Sequence, residues 1–435
     1  MLKTVLSLSF VVGSRFFGLF IILPVFGLYA SNLNNSNTML AGVAIGIYAL
    51  MQMIFQIPFG AMSDKFGRKN VMSLGLVIFI IGSLICGFTN DIYWMIFGRF
   101  LQGSGAVGSV AIAMISDFTS EEKRGKAMAI MGMMIGAAFG LSMVLGPYLS
   151  ARYGLGVLFH ISTALTLICI ILLYTTVPEE IKISSLQKKV SIIEILVQKD
   201  LALMNLTNFL QKMLLTMTFF VIPIVLVTKL GFMEKNLWIV YSISMVFGFI
   251  AMGMAGFMGE KRGLSKMILL LGISFFIFSY VCFVVANSKT LFIIGVILFF
   301  IGFNMHEPIM QSAASKFAKS DQKGAVLGVF NAAGYFGTFV GGIGGGVMLE
   351  NLGIHYLAAI IAIICIIWFL LLISLTNPAN FKNIYLKNSE NFDLSSLENR
   401  VGFIEAYRKN SEIVVKFNNK FIGENDVKKA LNIKE

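Results

Sequence analysis

Long uninterrupted runs of hydrophobic residues alternate with short polar stretches along most of the chain. A run of about 20 residues is long enough to cross the roughly 30 Å hydrocarbon core of a bilayer as a helix. The pattern predicts twelve membrane-spanning helices, spans 1 to 12, and places both termini on the same side. The runs lie near residues 6–30, 39–62, 71–89, 92–116, 126–150, 156–177, 202–228, 236–258, 265–286, 290–314, 324–348 and 354–376.

Composition agrees with a chain that lies mostly in lipid. Hydrophobic residues make up 57% of its 435 residues and charged residues only 13%. A soluble core does not need so much apolar surface. The first hydrophobic run is too long for a cleaved signal peptide and carries Arg15, so it is expected to remain as span 1.

Positive charge is divided unequally between the two sides. The loops after spans 2, 4, 6, 8 and 10 hold sixteen Lys and Arg residues, and the opposite loops hold four. Short loops rich in Lys and Arg stay in the cytoplasm, so both termini are expected there. The formal net charge of +12 is therefore interpreted as a topology signal and as attraction to anionic lipid, and nucleic-acid binding is not expected.

The chain repeats part of its own sequence at a nearly constant offset. Gly60, Asp64 and Gly67 recur 196 residues later as a Gly, Glu and Gly at 256, 260 and 263. Two homologous halves are a common architecture of transporters that alternate access. The predicted divisions are a six-helix bundle at 1–177, a linker with a short interfacial helix at 178–200, a second six-helix bundle at 201–376 and a small domain at 380–435.

The residues after Pro378 are polar and their apolar runs are too short to span a bilayer. Their pattern predicts a small aqueous α+β domain. Its predicted order is a strand at 384–386, a helix at 394–400, a hairpin of 403–407 with 413–417 and a helix at 425–431. A domain this small is expected to dock on the membrane part or on another copy.

Three motifs stand out among the spans. Residues 60–69 read G-x-x-S-D-K-x-G-R-K, and Arg99, Gln102, Gly103 and Gly105 of span 4 read R-x-x-Q-G-x-G. Span 5 carries glycines at regular spacing and ends in Gly146 and Pro147. In this order they resemble the major facilitator superfamily, specifically its twelve-helix drug:proton antiporters. The tail, residues 303–307 and Lys323-Gly324 look like the YajR type, in which the tail is a ferredoxin-like domain.

The first motif has a physical interpretation. Asp64 is expected at the end of span 2, where its carboxylate would lie against the positive N-terminus of span 11. Arg68 would pair with Asp117 at the end of span 4, while Gly60 and Gly67 complete the motif. The resemblance implies a latch that closes the two halves on the cytoplasmic side. The alternative is a loop that is only a positive topology signal.

The glycines of span 5 form a ridge without side chains at Gly132, Gly136 and Gly140. Such a ridge permits close helix packing, and Pro147 is expected to bend the helix after Gly146. The resemblance associates this motif with antiport. A packing ridge that has no bearing on the direction of transport is the alternative.

Four ionisable residues lie deep in predicted spans: Arg15, Arg99, Lys212 and Glu307, on spans 1, 4, 7 and 10. A charge there is costly and usually functional, and the resemblance implies that these spans line a central cavity. Glu307 is the candidate proton carrier, with Lys212 as its neighbouring cation. A fixed structural pair of the two is the alternative. Arg99 and Arg15 stay charged, so they would tune the site, and Arg15 is also a candidate contact for an anionic substrate.

Polar residues on the lining spans and their neighbours are the candidate substrate contacts. The excess of cations favours neutral or anionic amphipathic compounds over purely cationic ones. The candidates are Asn208, Gln211, Asn304, Gln311, Tyr241 and Asn331.

The predicted function is efflux of small amphipathic compounds or drugs, driven by protons, across a bacterial inner membrane. No catalytic set, metal-ligand spacing, cofactor motif or ATP-binding loop occurs in the sequence, so an enzyme is not expected and the proton gradient would supply the energy. The alternatives are a proton-coupled nutrient importer and a membrane sensor that signals through its tail. The chain is expected to be monomeric, with association through the tail as the other possibility.

Overall fold

A computed structural model describes residues 2–119, 121–178, 192–320, 322–387, 397, 400–409 and 412–431. Within them, ten helices are long and apolar enough to cross a membrane. The chain folds into two helical bundles followed by a small three-stranded sheet, so the predicted fold class is confirmed.

The helices follow the predicted spans closely. Their bounds, in chain order, are Leu2–Phe20 with Leu23–Ala30, Thr38–Phe66, Arg68–Phe88, Ile92–Ser104 with Gly108–Asp117, Glu121–Tyr153, Gly156–Thr176, Ile192–Val197, Lys199–Ile224, Leu237–Gly256, Ser265–Val285, Lys289–Phe317 and Lys323–Leu372. Short π-helical turns at Val225–Lys229 and Phe257–Lys261 extend spans 7 and 8. Ile192–Val197 lies in the predicted linker, of which residues 179–191 are outside the described residues.

Ten long helices correspond to twelve predicted crossings for two local reasons. Span 4 is interrupted after Ser104, and neither of its two pieces is long enough to be counted alone. Spans 11 and 12 are two helices within Lys323–Leu372 that meet without a loop at a sharp kink at Gly353, whose φ of 75° is non-helical. A residue with a side chain rarely adopts this φ, so glycine permits the reversal.

The two bundles share a hydrophobic core at one end only. We call the end that carries Val5, Phe66 and the small domain the terminal end, and the end that carries residues 31–37 the opposite end. One core runs through the second bundle and includes Phe26 and Ala44 of the first. A separate core of the first bundle lies toward the terminal end. The halves are therefore packed together mainly at the opposite end.

The small domain is an antiparallel sheet of β1 (Phe381–Lys387), β2 (Phe403–Lys409) and β3 (Glu412–Asn418), in the order β1-β3-β2. Helix Glu424–Ala430 packs against it around a core of nine buried apolar residues. This confirms the predicted α+β domain. The predicted helix at 394–400 lies largely outside the described residues.

The small domain docks on the loop between spans 10 and 11. Both carboxylate oxygens of Glu405 accept from the backbone N–H of Ser320, at 2.9 and 3.0 Å. The ammonium of Lys416 donates to the carbonyl of Ala318 at 2.5 Å. The rings of Phe317 and Phe381 meet edge to face, 5.1 Å apart. The tail thus contacts the end of span 10 and the turn that precedes span 11.

Burial makes the contact of Lys416 dependent on pH. The pKa of the ammonium is lowered to about 8, mainly because burial disfavours the charge; Glu405 raises the pKa and Lys323 lowers it by smaller amounts. An unfolded chain holds this proton up to about pH 10.4. The free energy of unfolding should therefore rise between pH 8 and 10.4, by at most about 1.4 kcal/mol per pH unit.

We expect the melting temperature of the wild-type protein to rise relative to that of Lys416→Met as pH increases from 8 to 10. Differential scanning fluorimetry of the two proteins measures this difference. Lys420→Met, on the exposed turn after β3, is the control and should show no such trend. A constant difference between wild type and Lys416→Met would contradict the burial argument.

Candidate functional site

Glycines let the two halves touch backbone to backbone at the opposite end. A Cβ at Gly42 of span 2 would lie 2.4 Å from the carbonyl oxygen of Gly342 in span 11. A Cβ at Gly346 would lie 2.6 Å from the carbonyl oxygen of Thr38. Only glycines permit so close an approach of two helices. Spans 2 and 11 therefore seal this end.

Polar contacts between the halves surround this seal. Tyr29 of span 1 donates to the carboxylate of Glu234, just before span 8. The backbone N–H of Met39, in the first turn of span 2, donates to Glu350 at 2.8 Å. Tyr241 donates to the carbonyl of Pro24 at 2.9 Å. Each contact joins the first bundle to the second.

A cavity of about 770 Å³ lies between the halves on the other side of the seal. Residues of both bundles line it, and most are apolar, including Phe16, Phe20, Phe139 and Phe303. On the terminal side, added Cβ atoms at Gly132, which lines the cavity, and at Gly253 and Gly328 would meet nothing within 4 Å. The cavity therefore opens at the terminal end and is closed at the opposite end.

An ion pair stands in the wall that the second bundle contributes. The Lys212 ammonium lies 2.6 Å from a Glu307 carboxylate oxygen, and Gln211 donates to the same oxygen at 3.0 Å. The two charged side chains are 27% and 36% exposed. Both reach the cavity, so the Glu307 carboxylate is accessible from it.

The wall of the first bundle contributes Arg99 from span 4. Its guanidinium donates to the Ala44 carbonyl at 3.3 Å and to Gln102 at 2.8 Å, and Gln102 in turn donates to Ser83 at 2.7 Å. The ring of Tyr48 lies 4.5 Å from the guanidinium carbon. Arg99 lines the cavity close to the seal.

Arg15 was expected near the same cavity, but it lies behind the wall. Its guanidinium packs 3.9 Å from the Phe79 ring and donates to the Gly105 carbonyl at 2.7 Å. Gly105 lies at the break in span 4, where carbonyls lose their helical partners. Arg15 supplies the donor that the Gly105 carbonyl lacks, and it therefore does not line the cavity.

The structure separates the predicted substrate contacts into two groups. Asn208, Asn304, Gln311 and Asn331 line the cavity. Gln211 is fully buried behind it, because its amide is engaged with Glu307 and Phe303. Tyr241 is buried in the seal. Gln211 and Tyr241 therefore do not line the cavity in this state.

The turn between spans 2 and 3 holds part of the predicted latch. Arg68 contacts Asp117 at 2.5 Å and Asp64 at 2.9 Å, and Gly67 forms the turn with a φ of 93°. Asp64 is 68% exposed. It was expected against the N-terminus of span 11, but among the described residues its ion partner is Arg68. In this state the two halves are separated at the terminal end, so Asp64 does not reach the N-terminus of span 11.

The glycines of span 5 differ in their surroundings. Gly132 and Gly136 face the cavity, and a Cβ at either position would meet nothing within 4 Å. At Gly140 a Cβ would meet the Phe249 ring at 3.1 Å, and at Gly146 it would lie 2.2 Å from the Ile21 carbonyl oxygen. Of the three ridge glycines predicted to pack closely, only Gly140 does so in this state, while the tightest approach is at Gly146, beside Pro147.

Four polar cavity residues were not predicted from the sequence: Tyr48, Thr216, Tyr335 and Thr338. Tyr48 and Tyr335 lie in the middle of spans 2 and 11. A tyrosine prefers the membrane surface, so one at mid-span was a usable signal. Thr216 and Thr338 bond to carbonyls of their own helices, as threonines do in any span, and carried no signal.

Comparisons with known proteins agree with this architecture. The sequence matches the Major Facilitator Superfamily over residues 8–342 and again over 204–414. It is 33% identical to the inner membrane transport protein YajR of Escherichia coli strain K12, over 82% of this chain and 80% of that protein. It is 39% identical to the class B tetracycline resistance protein of Escherichia coli, over 26% of this chain and 27% of that protein.

A solved structure supports the fold. The crystal structure of a D-xylose-proton symporter superposes with a TM-score of 0.71, over 86% of this chain and 98% of that protein. The two sequences are only 16% identical. This likeness therefore concerns the fold alone.

Proposed function

The chain belongs to the major facilitator superfamily, and we propose that it exports small amphipathic compounds in exchange for protons. The family and these relatives are transporters, and the chain is a multi-pass membrane protein. The observation that carries the proposal is the Glu307–Lys212 pair in the wall of a large apolar cavity that is open at one end. The tetracycline resistance protein among the relatives supports export of this kind of compound.

The orientation in this proposal follows from charge. The terminal end carries the Lys- and Arg-rich loops, which favours a cytoplasmic position. The name of the YajR relative supports the inner membrane. The structure then represents the inward-facing state, in which a compound enters from the cytoplasm or the inner leaflet.

Glu307 would couple the proton to the cycle. When the carboxylate is ionised, Lys212 neutralises it across the 2.6 Å contact. When it binds a proton, the pair loses its attraction and Lys212 becomes free to contact substrate or water. Because the same carboxylate faces a cavity that opens alternately to each side, one residue can take a proton outside and release it inside.

Two of the other motifs would serve the conformational change. In the outward-facing state, Asp64 would leave the surface and meet the N-terminus of span 11, supported by Arg68 and Asp117. Gly132 and Gly136 would then let span 5 approach the second bundle. Asn208, Asn304, Gln311 and Asn331 would contact the substrate in an otherwise apolar cavity.

Fluorescence of a pH-sensitive dye in inside-out vesicles tests the function. Cationic, neutral and anionic amphipathic compounds are added in turn to energised vesicles. Proton release in response to some of them supports exchange. Proton movement in the same direction as the compound would instead indicate an importer, and saturable binding without any flux would indicate a sensor.

A further inference from the structure

The cavity has an excess of buried positive charge. Arg99 lines it, is 3% exposed and donates only to neutral acceptors, Ala44 and Gln102. Among the described residues, no carboxylate lies within ion-pair distance of this guanidinium. The carboxylate of Glu307 is already held by Lys212. Arg99 is thus a cation without a counter-ion.

Arg15 increases this excess. It is 6% exposed, and its Nη1 atom has no hydrogen-bond partner within the described part of the chain. Both guanidiniums lie at span 4, since Arg15 donates to the Gly105 carbonyl at its break and Arg99 is part of its first helix. Arg15 therefore adds a second buried cation behind the wall that holds Arg99.

An uncompensated charge inside a membrane protein is costly, and such groups usually pair with a partner. Here the space beside Arg99 is the cavity itself. We propose that the cavity binds amphipathic organic anions, with the carboxylate or sulfonate of the compound on Arg99. Its apolar body then lies on the phenylalanine-rich wall. This inference rests on the proposed transport function, whose substrate class it names.

Geometry favours an anion with a flat apolar body. Arg99 lies near the seal, where it donates to Ala44, and Phe16, Phe139 and Phe303 belong to the same cavity lining. The ring of Tyr48 packs against the guanidinium and also lines the cavity. A guanidinium forms strong charge-assisted bonds to carboxylates, so the anionic group should fix the orientation of the compound.

Equilibrium binding to 1-naphthylacetate and to its methyl ester tests this inference. The two probes share the apolar body and differ in charge. Calorimetry with the full-length protein in nanodiscs, corrected with empty nanodiscs, gives both dissociation constants. We expect the acid to bind about tenfold more tightly than the ester, the effect of one hydrogen bond to a charged group.

In Arg99→Gln the preference for the acid should disappear, and Arg99→Lys should restore part of it. Arg152→Gln, an exposed arginine at the opposite end, is the matched control and should keep the preference. Equal binding of acid and ester to the wild type would overturn the inference, even if Arg99→Gln did not fold. A preference that survives in folded Arg99→Gln would overturn the assignment to Arg99.

This test is independent of the proposed function because it needs no gradient. A protein that prefers the acid but moves no protons would retain the anion site and contradict proton exchange. Proton exchange with neutral or cationic compounds, without preference for the acid, would support proton exchange and contradict the anion site.

A different observation supports a second inference, about the seal. Spans 2 and 11 run antiparallel, so the N-terminus of each lies beside the end of the other. At the opposite end, Glu350 near the end of span 11 accepts from Met39 in the first turn of span 2. Asn37 accepts from the next N–H, that of Leu40. A carboxylate at a helix N-terminus is stabilised by the helix dipole.

This contact has the geometry that was predicted at the terminal end for Asp64 and span 11, with the two helices exchanged. We infer that Glu350 is an outer latch that stabilises the inward-facing state. When the cavity opens at the opposite end, Glu350 must leave Met39, just as Asp64 must leave span 11 in the present state. Glu350 would then stabilise the inward-facing state and Asp64 the outward-facing state.

Accessibility of a cysteine at position 338 tests the outer latch. Thr338 lines the cavity, and the four native cysteines are replaced beforehand. Labelling by an impermeant maleimide from outside reports the outward-open population. Glu350→Gln should raise the labelling rate about two- to fivefold, the size of an exposed helix-dipole contact, and Asp64→Asn should lower it.

Asp91→Asn is the matched control. Asp91 is also at the opposite end but accepts from Tyr93 and Asn35 of its own bundle, so the outside rate should stay unchanged. An outside rate in Glu350→Gln at or below that of the wild type would refute the outer latch.

Discussion

Glu307→Gln should abolish proton-driven transport and leave the bundle folded. Glutamine has nearly the same shape, but its amide neither carries a proton nor neutralises Lys212. The remaining ammonium is 27% exposed, so water in the cavity can solvate it. A partly exposed pair contributes at most about 1 kcal/mol to folding. The substitution should therefore abolish proton-driven transport and leave the free energy of unfolding nearly unchanged.

The measurement is accumulation of a compound in vesicles with only a pH gradient as the driving force. In Glu307→Gln, accumulation should fall to the level of protein-free vesicles. Glu424→Gln removes a carboxylate from an ion pair on the small domain and should transport normally. If Glu307→Gln still concentrates the compound, Glu307 is no carrier. A large fall in melting temperature would then favour the structural pair.

Gly42→Ala should shift the protein strongly toward the outward-open state. In a helix, alanine is favoured over glycine by about 1 kcal/mol. At this position, however, the new methyl carbon would lie 2.4 Å from the Gly342 carbonyl oxygen and 3.1 Å from the Gly346 Cα. Backbone atoms cannot rotate away as a side chain can. Spans 2 and 11 must move apart, and the seal is lost.

Overpacking of this kind costs about 1 to 3 kcal/mol. The ratio of outward-open to inward-open protein should therefore rise about five- to 150-fold, and transport should slow because the cycle rarely reaches the inward-facing state. Labelling of a cysteine at position 338 from outside measures the shift, and compound uptake into inside-out vesicles measures the rate.

Gly328→Ala is the matched control on span 11. A Cβ there would meet nothing within 4 Å, so only the helical preference for alanine should act, and the protein should be as stable as the wild type or more so. Unchanged external labelling in Gly42→Ala would contradict this prediction. It would mean that spans 2 and 11 still seal the opposite end when the added methyl group moves them apart.

Some residues of the site could be predicted from the sequence because the signal, a charged residue within an apolar run, depends only on neighbouring residues. A lone carboxylate in a run of apolar residues stands out wherever the helix packs, and Glu307 lies in the cavity wall. The same reasoning brought Arg99 and Lys212 to the cavity. It misplaced Arg15, because a break in another helix, at Gly105, offered an acceptor that the pattern of span 1 does not reveal.

Local sequence patterns were enough to predict that this chain crosses a membrane many times, that it repeats one loop motif and that an α+β domain follows the spans. These properties depend on the length of apolar runs, on repeated motifs and on strand and helix periodicity, which neighbouring residues carry. Only the tertiary structure decided which end of the cavity is closed. Gly42 meets Gly342 and Met39 meets Glu350 across some 300 residues of chain, and the same sequence must also permit the state in which those contacts are broken.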